Sequence, residues 1–358
     1  MRDYNNIVTI VIFDPSILTD NLGDYIIMES INREIESIAN EIMYSNDVPV
    51  FVHNIPTHSR LTAEAKRLLS RKRVIKIIGG SDLFRLHYLP LAKYNQWKIS
   101  AVDLKLFNNC TILFGVGTTI VEEQSSSLIK YLSKFYSKIM WKKILASDVL
   151  HSVRDRETLL YLNDLGFENV VNTGCPTLWD LTPQHVRSIP KYKSESVVFT
   201  LTGHSDVSLK ESINVLGVLI NNYEKIYFWP QSENDYLVFK NLLSKLPTFI
   251  LGRINILPPN IVAYDRFLKS HSVDYIGFRI HAGIRALQFK KRAIIIAVDS
   301  RALSFKRDFN LPVIVADEIN NLDSIINENL NIKVTLDYKG IEKFKRALRN
   351  HIIKLGSE

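Results

Sequence analysis

The chain has 358 residues, too many for one ordinary core and enough for two domains of ordinary size. Its composition, 46% hydrophobic and 23% charged, excludes a disordered chain, and its net charge of +8 favours anionic partners. Two cysteines, Cys110 and Cys175, exclude a disulfide framework, and no Cys-x-x-Cys or His-rich spacing suggests a metal. A reducing cytoplasm is the expected location. The apolar run 7–13 lies between Asp3 and Asp14 and reads as a strand, not a signal peptide. No apolar run approaches the ~18–20 residues that span a bilayer, so an integral membrane protein is not expected. The positive charge is scattered and no basic-aromatic platform is visible, so nucleic acid is not an expected partner.

In chain order, strands are expected over 7–13, 48–53, 74–78, 111–116, 150–153 and 170–172, with helices over 24–38, 125–145 and 157–165. Residues 181–195 carry Pro183 and Pro190, are polar and basic, and lack apolar periodicity, so the boundary belongs there. The alternation then restarts. Strands are expected over 197–201, 225–229, 254–257, 275–278, 293–298 and 312–315, and helices over 209–221, 235–246, 261–271, 282–289 and 338–355. Buried strands alternating with helices predict βαβ units and parallel sheets. The expected organisation is α/β: a Rossmann-like domain over 1–185, a second over 186–337 facing it across a cleft, and a final helix over 338–358.

Five constellations could carry chemistry. Asp20-Asn-Leu-Gly-Asp24 follows the first strand. Gly23 permits a tight turn, while Asn21 and Asp24 suit either a helix cap or a ligand contact. Ile77-Ile-Gly-Gly-Ser-Asp82 ends a strand on Gly79, Gly80 and Ser81, whose backbone N–H groups could hold an oxyanion or a sugar hydroxyl. Phe114-Gly-Val-Gly117 repeats the device, and close backbone packing accounts for either one taken alone. His151-Ser-Val-Arg-Asp-Arg-Glu-Thr158 delivers Arg154 and Arg156 to a helix start, and a guanidinium fork matches a carboxylate or phosphate.

The fourth constellation runs from Asp274 through Arg279 and His281 to Leu287. Here a strand meets an Arg-x-His pair and then a helix, which puts a permanent cation and a titratable imidazole at the sheet edge where α/β folds bind ligands. Arg285 falls four residues after His281, on the same helical face. Between Asp274 and Leu303 six Lys or Arg face two acids, which suits a small anion. The fifth is the helix over 125–145. Its apolar face is expected to be Leu128, Leu132, Phe135 and Ile139, and its basic face Lys130, Lys134 and Lys138 with Trp141 nearby. Such a helix is usually an ordinary amphipathic one, and it also fits peripheral contact with a membrane surface. Cys175, in Gly174-Cys-Pro-Thr-Leu-Trp179, reads as packing.

In order and spacing, Asn21-Leu-Gly-Asp24, Ile78-Gly-Gly-Ser81, Phe114-Gly-Val-Gly117, Val153-Arg-Asp-Arg-Glu-Thr158, Gly174-Cys-Pro176, Trp229-Pro-Gln231 and Gly277-Phe-Arg-Ile-His-Ala282 resemble the polysaccharide pyruvyl transferase family. Ser81 and Cys175 depart from the pattern, where relatives commonly carry Gly and an acid. The resemblance implies a glycosyltransferase-B-like fold. It also implies transfer of the enolpyruvyl unit of phosphoenolpyruvate onto two hydroxyls of a sugar, giving a pyruvate ketal and free phosphate. Arg279, His281 and Arg154 would then meet the donor, with Arg156 and Arg285 as further donor-side cations. His281 would be the acid and Asp24 the candidate base. Asn21, Gly23, Asp24, Gly79, Gly80 and Ser81 would meet the acceptor, whether lipid-linked or nucleotide-linked. No metal or cofactor is called for, phosphoenolpyruvate being a co-substrate. The expected setting is the synthesis of a bacterial-type surface polysaccharide, in the cytoplasm or at the inner face of the membrane. Two competing readings are a nucleotide-sugar glycosyltransferase of the same fold, against which stands the absence of Glu between Asp274 and Leu303, and a non-catalytic glycan- or anion-binding protein.

Overall fold

The computed structural model describes residues 7–85, 97–119, 127–203, 207, 209–245, 247, 250 and 252–358. They fall into two compact units. One is drawn from residues up to Thr19, from Ile27–Pro176 and from Leu336–Glu358, and the other from Asp20–Ile26 and Thr177–Thr335. The expected spans thus differ from the units at three places: the first unit ends at Pro176, Asp20–Ile26 groups with the second unit, and the last helix groups with the first.

In the first unit, β1 (Val8–Asp14), β2 (Val50–Pro56), β3 (Val74–Gly79) and β5 (Thr111–Phe114) form a parallel sheet in the order β2-β1-β3-β5. Every residue of β1 is buried, which explains why it is mostly apolar on both faces, broken only by buried Thr9 and Asp14: a parallel strand covered on both faces has no polar side to alternate with. Two short parallel ladders accompany this sheet. One pairs β4 (Asp82–Arg85) with β6 (Gly117–Thr119), the other β7 (His151–Val153) with β8 (Val170–Asn172). Helices α1 (Leu22–Asn46), α2 (Ala63–Leu69), α3 (Ser127–Ile144) and α4 (Arg156–Asp164) intervene.

The core of this unit gathers Phe13, Trp97, Phe107 and Trp141, with Trp97 stacked on Trp141 at 5.9 Å and 9°. That stack decides which way α3 faces. Met140, Trp141 and Ile144 turn inward, while Phe135 and Ile139, expected on the packing face, are 57% and 54% exposed. Trp141, expected beside the lysines, is fully buried. Residues 125 and 126 lie outside the described residues, as do the side chains at 128, 130, 132 and 134.

The second unit holds β9 (Ser196–Thr200), β10 (Lys225–Phe228), β11 (Ile254–Ile256), β12 (Asp274–Gly277), β13 (Ala293–Ile296) and β14 (Val313–Ile314). These form one parallel sheet in the order β11-β10-β9-β12-β13-β14. Its helices are α5 (Pro183–Arg187), α6 (Leu209–Asn222), α7 (Glu233–Leu243), α8 (Ile261–Ser270), α9 (Ile280–Gln288), α10 (Ser300–Phe309) and α11 (Leu322–Asn327). The helix expected over 235–246 ends at Leu243, and residue 246 lies outside the described residues. The strand order reverses between β9 and β12. At such a switch point the connecting loops diverge from the carboxyl ends of neighbouring strands and leave room for a ligand. The chain closes with α12 (Tyr338–Ser357), part of the first unit.

Candidate functional site

The switch point of the second unit is built on close backbone approach. A Cβ on Gly277 would lie 2.5 Å from Thr200 Oγ1, so only glycine lets β12 end against β9 there. The Tyr275 hydroxyl lies 2.7 Å from Thr200 Oγ1 and donates to the Arg279 carbonyl at 2.7 Å, while Arg279 N–H donates to Thr200 Oγ1 at 3.2 Å. Arg279 is the N-cap residue of α9 and makes no side-chain cap, so no carboxylate offsets the positive end of that helix from the cap position.

The Arg279 fork is held by Asp235. Nε donates to Asp235 Oδ2 at 2.9 Å, and Nη2 donates to Asp235 Oδ1 and, at 3.0 Å, to Ser232 Oγ. Asp235 is fully buried, and it also accepts the N–H of Gly203 at 3.0 Å and of Gln231 at 3.1 Å. Among the described residues nothing takes a hydrogen bond from Arg279 Nη1. The guanidinium is therefore oriented on two nitrogens and has the third left for a ligand.

His281, 5% exposed, occupies the first turn of α9. Asn21-Leu-Gly-Asp24 comes against it. Leu22 N–H donates to the Gln231 carbonyl at 2.9 Å, and a Cβ on Gly23 would lie 3.3 Å from His281 Nδ1. Gln231 is 1% exposed and its side-chain Nε2 has no hydrogen-bond partner. Beside it Trp229 stacks on Tyr264 at 3.8 Å and 4°, and Tyr264 donates to the Ala282 carbonyl at 3.1 Å, tying the Trp-Pro-Gln turn to α9. The structure thus brings Asn21 and Gly23 to the same unit as Arg279 and His281, with Asp24 in the first turn of α1. Arg285 lies one turn after His281 on α9. Its fork is taken up by Asp265 on α8 and by Gln288, which makes it a brace between two helices.

In the first unit, Arg154 directly follows β7 and is 2% exposed. Its guanidinium is not a free fork: Nη2 pairs with Asp82, and Nε reaches Asp155 Oδ2 at 3.4 Å. Burial pushes the Asp155 carboxyl above its usual range, against the pull of Arg154. Asp155 also caps α4, accepting both N–H and O–H of Thr158 at 2.7 Å. A Cβ on Gly117 would overlap Arg154 Nε at 2.0 Å, so that glycine is the floor on which the guanidinium lies. Gly79 and Gly80 are tight packing positions. Their added Cβ atoms would meet Met28 Sδ at 2.9 Å and Ile27 Cγ2 at 3.0 Å, which matches the close-packing account of that motif. Ser81 Oγ is buried without a hydrogen-bond partner, and Arg156 is exposed on the first turn of α4.

Sequence reasoning missed Asp235 and Asp82. Ser232 accepts from Asp235 N–H at 3.3 Å, and this N-cap spacing was the only local signal for Asp235.

Among solved structures, the UDP-GlcNAc 2-epimerase from Methanocaldococcus jannaschii is similar over 96% of this chain and 99% of its own, at 13% identity and a TM-score of 0.52. A Staphylococcus aureus MnaA–UDP co-structure covers 98% of both chains at 14% identity and a TM-score of 0.48. The likeness to the epimerase, at this identity, speaks to fold alone, which is the glycosyltransferase-B-like pair of Rossmann-like units. No curated protein matches the chain by sequence. The family model for polysaccharide pyruvyl transferase matches residues 21–300, from the loop beside His281 through Arg154 and Arg279 to the start of α10. A match over that span takes in the Asn21-Leu-Gly-Asp24 loop and all the later constellations, and the chain belongs to the polysaccharide pyruvyl transferase family, whose members are transferases.

Proposed function

We propose that this transferase moves the enolpyruvyl group of phosphoenolpyruvate onto two hydroxyls of a sugar in a surface polysaccharide or its precursor. The observation that carries the reading is the Arg279 fork, fixed by Asp235 with Nη1 unspent, two residues before His281 at the start of a helix. Arg279 would meet an anionic group of the donor and stabilise the departing phosphate. His281 would give a proton to the methylene carbon, making C2 electrophilic. One sugar hydroxyl then adds to C2 and loses its proton. The second hydroxyl takes the place of phosphate at C2: the C2–O bond breaks, the bridging oxygen leaves with phosphorus, and the hydroxyl proton leaves with the phosphate. The products are a cyclic ketal with a new methyl group and inorganic phosphate. The scheme calls on no metal or cofactor.

Asp24 remains the candidate base, and the acceptor roles of Asn21, Gly23, Gly79, Gly80 and Ser81 belong to the same proposal, as do the donor roles of Arg154, Arg156 and Arg285. Packing limits what these residues could offer: Gly79 and Gly80 only backbone groups, and Arg154 and Arg285 only forks already paired with carboxylates. Among the described residues no helix is long and apolar enough to cross a membrane. Exposed Phe135 and Ile139 beside exposed Lys138 and Lys142 support peripheral membrane contact through α3.

The test offers phosphoenolpyruvate with a panel of glycan acceptors and follows phosphate release together with the mass of the acceptor. Phosphate released in step with ketal formation is the expected result. Consumption of UDP-sugars with no acceptor pyruvylated would establish glycosyl transfer instead.

A further inference from the structure

The first unit has a groove of about 510 Å³ between the edge strand β2 and helix α2, lined by none of the motif residues used above. Its walls have two chemistries. Ile55, Leu61 and Leu68 line it and pack from behind on the apolar core. Arg60, Arg67 and Arg71 line it as well, all three exposed, and no described residue takes a hydrogen bond or an ion pair from their guanidinium groups. Arg67 lies in the last turn of α2 and Arg71 just past its Ser70 C-cap, and both line the same groove. The segment 60–73 carries six cations against one acid, Glu64, which also lines the groove. Lys66 is paired with Asp103 at 2.7 Å, which accounts for one of the six and leaves Arg60, Arg67 and Arg71 without a paired carboxylate among the described residues. Charge that looks scattered along the sequence is therefore gathered here.

Unpaired arginines on a flat surface would need no explanation. Three of them around a concave wall with an apolar floor are another matter. A guanidinium fork matches a phosphate in bidentate geometry, and an apolar floor gains from covering methylene groups. A ligand that satisfies both carries phosphate at one end and hydrocarbon at the other. We propose that this groove is a second anion site, which binds a phosphate headgroup borne on an apolar chain. The inference does not depend on the identity of the donor or on the ketal chemistry.

The probe is dihexanoyl phosphatidic acid below its micelle concentration, titrated calorimetrically into the full chain, with inorganic phosphate titrated in parallel. The lipid phosphate should bind at least ~10-fold more tightly than inorganic phosphate, as burial of a few methylenes requires. Replacing Arg60, Arg67 and Arg71 together with Gln should weaken lipid binding by about 10-fold or more, with the thermal midpoint unchanged because all three are exposed. A control variant replaces exposed Lys225, Lys269 and Lys333 with Gln, removing the same charge elsewhere. It should bind as the parent does. Equal affinity for lipid phosphate and inorganic phosphate would remove the apolar floor from the account. Retained binding in the arginine variant, or equal loss in the control, would overturn the site.

Discussion

Asp235 accepts the Arg279 fork and the N–H groups of Gly203 and Gln231 on one fully buried carboxylate. Asp235→Asn keeps its volume but removes the charge and turns one acceptor into a donor facing other donors. The fork should shift, and a misplacement of ~1 Å in a positioning group costs about 10²-fold in rate. Steady-state kinetics in phosphoenolpyruvate should show kcat/KM reduced by about that factor with KM raised; unaltered kinetics would strip Asp235 of its positioning role. His281→Ala should behave differently. Loss of a general acid costs about 10²–10⁴ in turnover, whereas calorimetric affinity for the donor should stay near the parent value. Affinity falling in step with turnover would make His281 an anion ligand and not the proton source. The placement of Arg279 and His281 between a strand and a helix was legible in the sequence because an apolar run ends and a helical pattern begins at that point, and strand order then set them at a switch point. Asp235 was not, since it lies 44 residues from its arginine and its own neighbourhood reads as a helix cap. Arg154 shows the same gap: the sequence displays a fork, while the carboxylate that occupies it comes from 72 residues away.

At the scale of elements, strand β7 depends on a neutral histidine. His151 is fully buried, accepts Leu113 N–H on Nδ1 at 3.2 Å, and donates from Nε2 to the Ala146 carbonyl at 2.9 Å. A second ring proton would point at the Leu113 N–H. Burial holds the pKa down to about 4, with only the Ala146 carbonyl pulling the other way, against 6.5 for a solvated imidazole. Between those values the unfolded chain binds a proton that the folded chain does not, so stability rises with pH through the window and is lost as pH falls through it. The full difference is of the order of 3 kcal/mol. Urea midpoints measured from pH 7 down to pH 4.5 should fall for the parent and fall less steeply for His151→Gln; parallel slopes would mean that His151 does not set the acid limb. Most strands and the longer helices were legible from periodicity. The misses have physical causes. Helix α2 is seven residues long, too short to show an apolar stripe, and α10 is dominated by polar and basic residues. The face of α3 was misjudged because Trp97, far from it in sequence, decides by stacking which side is buried.

At the scale of the whole molecule, the chain leaves the first unit at Pro176 and comes back to it at Leu336. Helical spacing over 338–355 identified the last helix but not what it packs against, since an amphipathic stripe says that a face is buried and not by what. The structure supplies the partners. Phe344 is fully buried and meets Phe114 of β5 edge-on at 4.9 Å; Gly356 lies so close to Val48 that a Cβ would come within 2.4 Å; Lys345 and Arg349 pair with Glu34 and Glu41 of α1. The ion pairs are partly exposed and worth ~0–1 kcal/mol each, so the aromatic contact dominates. Phe344→Ala should destabilise the first unit by about 3–5 kcal/mol through lost burial and the cavity left behind. Hydrogen exchange locates that loss. Amides of β1, β3 and β5 should exchange faster in the variant, while those of β9 and β12 keep their protection, because local opening follows the contacts that were removed. Equal acceleration in both sheets would mean that the two units open as one cooperative body. Acceleration confined to β9 and β12 would place the helix with the wrong unit, and the first unit would then have to be stable without its final helix.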